Sequence, residues 1–297
     1  MTPPARRIGI VVTDTYSHED PDHDTPLLLE ALNTRGVQAS PVVWHRDNDL
    51  GAFDALVIRS PWDYPERPDE FGAWLARAAD ETVVHNDPDI IRWNLDKRYL
   101  AELERSGVRV VPTAYCRTAA DIDAALTAHA GRAVVVKPAV SAGARDTGLF
   151  DASDPRARRL AGRIVDGGGT AMVQPEIAEL SAGAEKALYA IDGHFTHAIA
   201  KGALLARGGG LRGGVYVENP VPVDATDAER AFADAVLRAV VEVTGRPMPL
   251  YARIDTVDSA EFGLVLLEAE LIEPALNLHV VPHVTDTVAD AIVRITA

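Results

Sequence analysis

One cysteine, Cys116, stands in 297 residues. A lone thiol excludes an intrachain disulfide and a zinc cluster built on thiolates. Its simplest reading is a small buried apolar residue. Positive charge is scarce as well: Lys plus Arg number 29 against 44 Asp plus Glu, a formal charge of −15. That balance argues against sequence-independent nucleic-acid binding, which needs a positive face, and against docking on an anionic membrane. No stretch approaches the roughly 20 apolar residues of a membrane helix. The opening MTPPARRIGIVVTDTY lacks the apolar run of a signal peptide, so a cytoplasmic location is expected. No G-x-G-x-x-G follows the first apolar run, where VVTDTYS stands, which excludes a dinucleotide-dependent dehydrogenase. Internal repeats and low-complexity tracts are missing too. What remains is ordinary globular composition, in a chain long enough for one large domain or two to three interlocked smaller ones.

The first ninety residues alternate strand and helix signals. The apolar run 8–13 reads as a strand buried on both faces. Thr25-Pro26 offers a helix cap with proline in the first turn, and Gly36 ends the helix. Strands over 37–44 and 55–59, a helix over 68–79 and a short strand over 82–85 follow. Such alternation implies a parallel sheet covered by helices. Near residue 95 the pattern changes to a small α+β unit. It comprises a helix over 95–106, strands over 109–112, 133–137 and 171–173, and helices over 119–130 and 155–165. Strands dominate afterwards. Asp192-Gly193 joins runs 185–191 and 195–201 as a hairpin signal. Thr226 and Glu229 form a capping box for a helix over 227–244. Strands over 250–257 and 263–270 precede a last helix from about 286. The clearest linker-like stretch is 206–214, ARGGGLRGG.

Three features carry chemistry. Lys137 ends the apolar run AVVVKP, and Lys97 sits in RWNLDKRYL. A buried ammonium costs several kcal/mol unless an anion meets it; phosphate is the natural partner, and a snorkelling strand-end lysine is the alternative. Ser141-Ala142-Gly143-Ala144 follows Lys137, and its small residues let backbone N–H groups approach phosphate oxygens. Period-2 spacing places Arg253 and Asp255 on one face of YARIDTV, and Glu268 and Glu270 on one face of LLEAEL. Carboxylates converging from neighbouring strands suit magnesium or manganese; a solvated sheet face is the alternative.

Taken in order, these motifs resemble the ATP-grasp ligases from about residue 92 to 278. The resemblance implies an ATP-grasp fold of mixed α/β and α+β class. Its parts would be an N-terminal Rossmann-like parallel-sheet domain (1–95), a central lid domain (96–173) and a C-terminal antiparallel-sheet domain (174–297). It also implies roles. Lys97 and Lys137 match the phosphate-binding lysines, and Gln174, Pro175, Glu176 and Ile177 match the hinge that holds adenine. Glu185 matches the ribose-binding acid, and Lys201 and Arg253 the cations near the transferred phosphate. Asp255 and Glu268 match the magnesium carboxylates. Glu270 occupies the place of the family's usual asparagine ligand, which points to a subgroup. RSPWDY (59–64) and WNLDKRYL are similar to the D-cycloserine synthetase type, the O-ureido-D-serine cyclo-ligases.

Such an enzyme activates a small amino-acid carboxylate as an acyl phosphate, which a nitrogen nucleophile then attacks. Cyclisation of O-ureido-D-serine to D-cycloserine, an antibiotic, is the specific expectation. An intermolecular amino-acid or dipeptide ligase is the alternative, and a non-catalytic nucleotide-binding module a more distant one. The partners expected are ATP and a small amino acid, with a homodimer as the assembly. The glycine-rich stretch 208–214 is a candidate cover, with Arg212 reaching the substrate. Thr13, Arg59 and Asp63 are candidate substrate contacts at strand ends. His85, His197 and His279 read as structural or surface residues.

Overall fold

The computed structural model describes residues 5–16, 21–141, 143–203, 205–211 and 219–296. The chain opens with β1 (Arg7–Val12), α1 (Asp24–Thr34), β2 (Gln38–Val43), β3 (Ala55–Ser60), α2 (Pro68–Glu81) and β4 (Val83–His85). These strands form one parallel sheet in the order β2-β1-β3-β4. The central β1 is buried on both faces, which is why it reads as an unbroken apolar run. Gly9 is required within it: a Cβ there would stand 2.5 Å from Leu56 and 2.7 Å from Val42. The helix cap differs from the expected one. Asp22, not Thr25, accepts the first-turn amides, those of Asp24 and Thr25 at 2.9 and 3.0 Å.

Next come α3 (Pro88–Asn94), α4 (Tyr99–Arg105), β5 (Ala114–Cys116), α5 (Ala119–Ala128), β6 (Ala133–Pro138), β7 (Gly148–Asp151), α6 (Pro155–Asp166) and β8 (Ala171–Pro175). The expected helix over 95–106 is broken. The chain leaves α3 so that the Lys97 amide can donate to the Ala139 carbonyl at 2.8 Å, then re-enters a helix at Tyr99. The expected strand over 109–112 is only a bridge between Val110 and Leu266; Pro112 has no N–H to extend it. The strands β5-β8-β6-β7 make an antiparallel sheet that packs on α5 and α6 through Val134, Val136, Ile122, Leu160 and Cys116. Burial pushes the Cys116 thiol up to about 11, which leaves it an inert core residue.

The chain ends with α7 (Ala178–Ser181), β9 (Glu185–Ile191), β10 (His194–Lys201), β11 (Val221–Val223), α8 (Asp227–Thr244), β12 (Tyr251–Ser259), β13 (Gly263–Glu270) and α9 (His283–Ile295). The antiparallel sheet runs β11-β10-β9-β12-β13. The Asp192-Gly193 turn and the Thr226–Glu229 capping box are present as expected. One face of this sheet packs on α4 and α8 through Leu188, Ile254, Leu100 and Val236. The other contributes Tyr189, Ile191 and Tyr251 to a core shared with β1, α1 and α9. The C-terminal helix therefore packs back on the N-terminal layer.

Buried amides stitch the two layers together. Asn86 donates to the Tyr251 and Leu271 carbonyls at 2.9 and 2.7 Å and accepts from the Leu250 amide at 2.6 Å. Asn94 donates to the Ala269 carbonyl at 2.8 Å and accepts from the Leu271 amide at 2.9 Å. Each side chain satisfies backbone groups at the edge of the antiparallel sheet that burial would otherwise leave unpaired. No helix among the described residues is long and apolar enough to cross a membrane.

Candidate active site

A cleft of about 570 Å³ opens where the three sheets meet. One wall comes from β6, β8 and the loop after β6, a second from β12 and β13, and the third from the loops after β1 and β3. Every described residue of the expected set lines it: Lys97, Lys137, Ser141, Gly143, Gln174, Pro175, Glu176, Ile177, Glu185, Lys201, Arg253, Asp255, Glu268 and Glu270. Arg212 lies outside the described residues.

The β12–β13 register sets the charge pattern. Arg253 stands opposite Glu270 and Asp255 opposite Glu268, with an irregularity just after Asp255. Lys201 enters from the end of β10 and meets Asp255 and Glu185, each at 3.1 Å. Arg253 grips Asp255 with two bonds of 2.8 and 2.9 Å and also pairs with Glu270. Lys201, Arg253 and Asp255 are each no more than 4% exposed, so the pairing is obligatory rather than decorative. Burial alone would raise Asp255, but the two cations hold its carboxyl below the usual range. The same burial pushes Glu185 up despite Lys201 and carries Glu270 to about 8.

The side of the cleft formed by Lys97, Lys137 and the loop after β6 is arranged differently. Lys97 bonds the Ser141 carbonyl at 2.6 Å and Glu268 at 3.1 Å. It thereby ties the loop after β6 to β13. Gly143 turns that loop with a φ of +61°, where a side chain would be strained. Lys137 is half-buried and makes no ion pair among the described residues. Desolvation pulls its ammonium below the usual lysine range, since the nearest carboxylates act only at a distance and Lys97 opposes it. A cation so placed lacks an anion.

Just after β8, the Glu176 amide is occupied by the Ala133 carbonyl at 2.9 Å. The Ile177 amide finds no acceptor among the described residues. Gln174 is held by Thr113 at 2.8 Å, and Ser181 donates to Glu176 at 2.9 Å.

Of the strand-end guesses, only Asp63 lines the cleft. It is held by Trp44 at 2.7 Å and by Arg67. Thr13 and Arg59 do not line it. Arg59 is buried, stacks 4.6 Å from the Tyr251 ring and donates to the Pro274 carbonyl at 2.6 Å, fixing the chain after β13. Sequence reasoning missed Tyr16, Trp62, Tyr64 and Glu273, which line the same end of the cleft. The spacing of Glu268, Glu270 and Glu273 in EAELIEP was the available signal, but Glu273 falls beyond the strand, where period 2 no longer applies. The glycine-rich stretch is not a free linker where it is described. Gly208 and Gly209 pair with Leu149 of β7 at 2.7 and 2.9 Å, and Leu205 lines the cleft. His197 is buried and stacks on Tyr189, a structural role.

The donor set suits a hard divalent cation. Glu268, Glu270 and Asp255 offer oxygens only, and among the described residues no cysteine or histidine lines the cleft. Among the described residues no three acidic or imidazole side chains form a ready-made cage. Magnesium does not need one, because it keeps waters and takes one or two carboxylates together with substrate phosphates.

Known proteins share this fold. Residues 8–86 match the family described as the N-terminal domain of D-cycloserine synthetase DcsG. The chain is 36% identical over 284 residues to the cycloserine biosynthesis protein DcsG of Streptomyces lavendulae, covering 90% of this chain and 92% of that one. It superposes on the crystal structure of D-cycloserine synthetase DcsG with a TM-score of 0.90 and 32% identity, covering 98% of this chain and all of the other. The ATP-grasp ligase PsnB, solved with a minimal precursor, Mg and ADP, is similar in fold alone, at 18% identity and a TM-score of 0.63 over 97% of this chain and 98% of that one.

Proposed function

The chain belongs to the D-cycloserine synthetase family of ATP-grasp ligases, and from that premise we propose that it closes O-ureido-D-serine to D-cycloserine with ATP as the activating substrate. The observation that carries this reading is the convergence of Lys97, Lys137, Lys201 and Arg253 on one cleft, in a chain that follows the cycloserine enzyme along nine-tenths of its length.

ATP lies with its adenine against Gln174–Ile177, where the free Ile177 amide and Glu176 carbonyl supply an edge to pair with. Glu185 receives the ribose hydroxyls. Lys97 and Lys137 meet the phosphates, so the uncompensated charge of Lys137 finds its anion in the substrate. A substrate carboxylate oxygen attacks the γ-phosphorus, the bond to the β-phosphate oxygen breaks, and ADP leaves with an acyl phosphate formed. Lys201 and Arg253 present fixed positive charge where the phosphoryl group passes, at no reorganisation cost because Asp255 already holds both. Asp255, Glu268 and Glu270 would hold magnesium or manganese, which when bound neutralises triphosphate charge and polarises the γ-phosphoryl group.

The ureido nitrogen bonded to oxygen then attacks the acyl carbon and inorganic phosphate leaves. Nucleophile and electrophile share one molecule, so the cleft needs only to hold the folded conformer. The nitrogen gives up its proton, and hydrolysis of the N-carbamoyl group consumes one water and releases carbon dioxide and ammonia.

The test is to incubate the protein with ATP, magnesium and O-ureido-D-serine as the only amine and to follow ADP, phosphate and D-cycloserine. Equal yields support the cyclo-ligase. ADP release that requires a second amino acid refutes it in favour of an intermolecular ligase.

A further inference from the structure

The cleft carboxylates described so far each pair with a lysine or arginine. The same holds for the other acids that line the cleft: Asp63 with Arg67, Glu66 with Arg145 at 2.9 Å, and Glu176 with Arg207. Glu273 is the exception among the described residues. It lines the cleft and has no ion pair. Lys97 and Arg253 act on it at a distance, and their described hydrogen bonds go to Ser141, Glu268, Asp255 and Glu270.

The side chain is nonetheless held in place. The buried Tyr64 hydroxyl stands beside its carboxylate, and Trp62 Nε1 donates to its backbone carbonyl at 3.0 Å. Tyr16 stands edge-on to Trp62, with ring centroids 5.6 Å apart. A carboxylate without a cation, walled by three aromatic rings in a cavity, is a receptor for a small cation. The charge of such a cation pairs with the carboxylate. This is the end of the cleft built from the loops after β1 and β3, whereas the hinge belongs to β8.

We propose that Glu273, oriented by Tyr64, binds the α-ammonium of the amino-acid substrate and makes the enzyme select α-amino acids over carboxylic acids that lack the amine. The proposal deepens the cyclo-ligase reading and rests on its amino-acid substrate. It assigns Glu273 to specificity, as a group touching the substrate, and Tyr64 to positioning. Among the described residues every other acid of the cleft has at least one ion pair, and Glu273 has none.

The experiment compares the wild type with Glu273→Gln and Glu273→Asp, each first shown to unfold cooperatively on heating. Glutamine keeps an acceptor for Tyr64 and removes only the charge. Calorimetry with a non-hydrolysable ATP analogue present measures the affinity for O-ureido-D-serine and for its deamino analogue. Cyclisation is followed separately. The wild type should prefer the amino acid by at least about tenfold, the size of a charge-assisted hydrogen bond. Glu273→Gln should narrow the preference to about twofold or less, and Glu273→Asp should retain part of it. An undiminished preference in Glu273→Gln overturns the assignment, as does a wild type that shows no preference or no binding. Tight, amine-selective binding without cyclisation supports the ammonium site while refuting the cyclo-ligase reading.

Discussion

Lys137→Met and Lys201→Met should move stability in opposite directions, although both remove a lysine from one cleft. Lys201 sits 3.1 Å from Asp255 and from Glu185, and all three are largely buried. Its removal strands two carboxylates, and breaking a buried pair costs about 3–5 kcal/mol. That is a large part of the roughly 5–15 kcal/mol available to a domain. Lys137 has no such partner, and burial already disfavours its charge. Replacing it with an apolar side chain removes a penalty that only the ligand relieves. The free protein should gain about 0.5–2 kcal/mol, the usual size of a stabilising change at a functional site. The loss appears in catalysis instead: about 2–5 kcal/mol in kcat/KM for ATP, at least about thirtyfold. Urea unfolding without nucleotide gives the first quantity, and initial rates across ATP concentration give the second. A Lys137→Met protein destabilised by more than about 1 kcal/mol with kcat/KM for ATP intact would falsify the phosphate assignment.

Excess EDTA should abolish turnover and magnesium should restore it, because the described residues of the cleft offer oxygen ligands and no cysteine or histidine; undiminished turnover under chelation contradicts the carboxylate assignment. Glu270→Asn should stay active but need more magnesium for half-maximal rate, whereas Glu268→Gln should fail at any magnesium concentration. Equal failure of both at saturating magnesium would show that Glu270 acts beyond ligation, for instance by orienting Arg253. His197 is stacked 4.1 Å from Tyr189 and bonded to the Leu276 carbonyl, and burial pulls it down to about 4. Its unfolded value is about 6.5, so the unfolded chain takes up the proton first as pH falls. Stability from this residue is complete above about pH 6.5 and drops by about 3 kcal/mol on the way to pH 4. Urea midpoints at pH 7.5 and 4.5 should separate by less in His197→Gln than in the wild type, and an equal separation refutes the linkage.

The parallel sheet was legible because β1 and β3 are buried on both faces and read as apolar runs. The hairpin at Asp192-Gly193 and the capping box at Thr226 were legible because local backbone chemistry sets them. The cations and carboxylates of the cleft stood out because charge at the end of an apolar strand demands a reason. Long-range demands were hidden. The break between α3 and α4 answers to an Ala139 carbonyl more than forty residues away. Arg59 looked like a substrate contact because it ends a parallel strand, yet its guanidinium braces Pro274. Glu273 was invisible for a related reason: its neighbours Tyr64 and Trp62 come from another sheet, and its lack of an ion pair exists only in three dimensions.

The central claim is that a carboxylate of the substrate is phosphorylated before the ring closes. O-ureido-D-serine labelled with ¹⁸O in its carboxylate should therefore pass one labelled oxygen to each inorganic phosphate released, with ADP as the nucleotide product and one D-cycloserine per phosphate. Phosphate without label, or label appearing in AMP, would contradict the account.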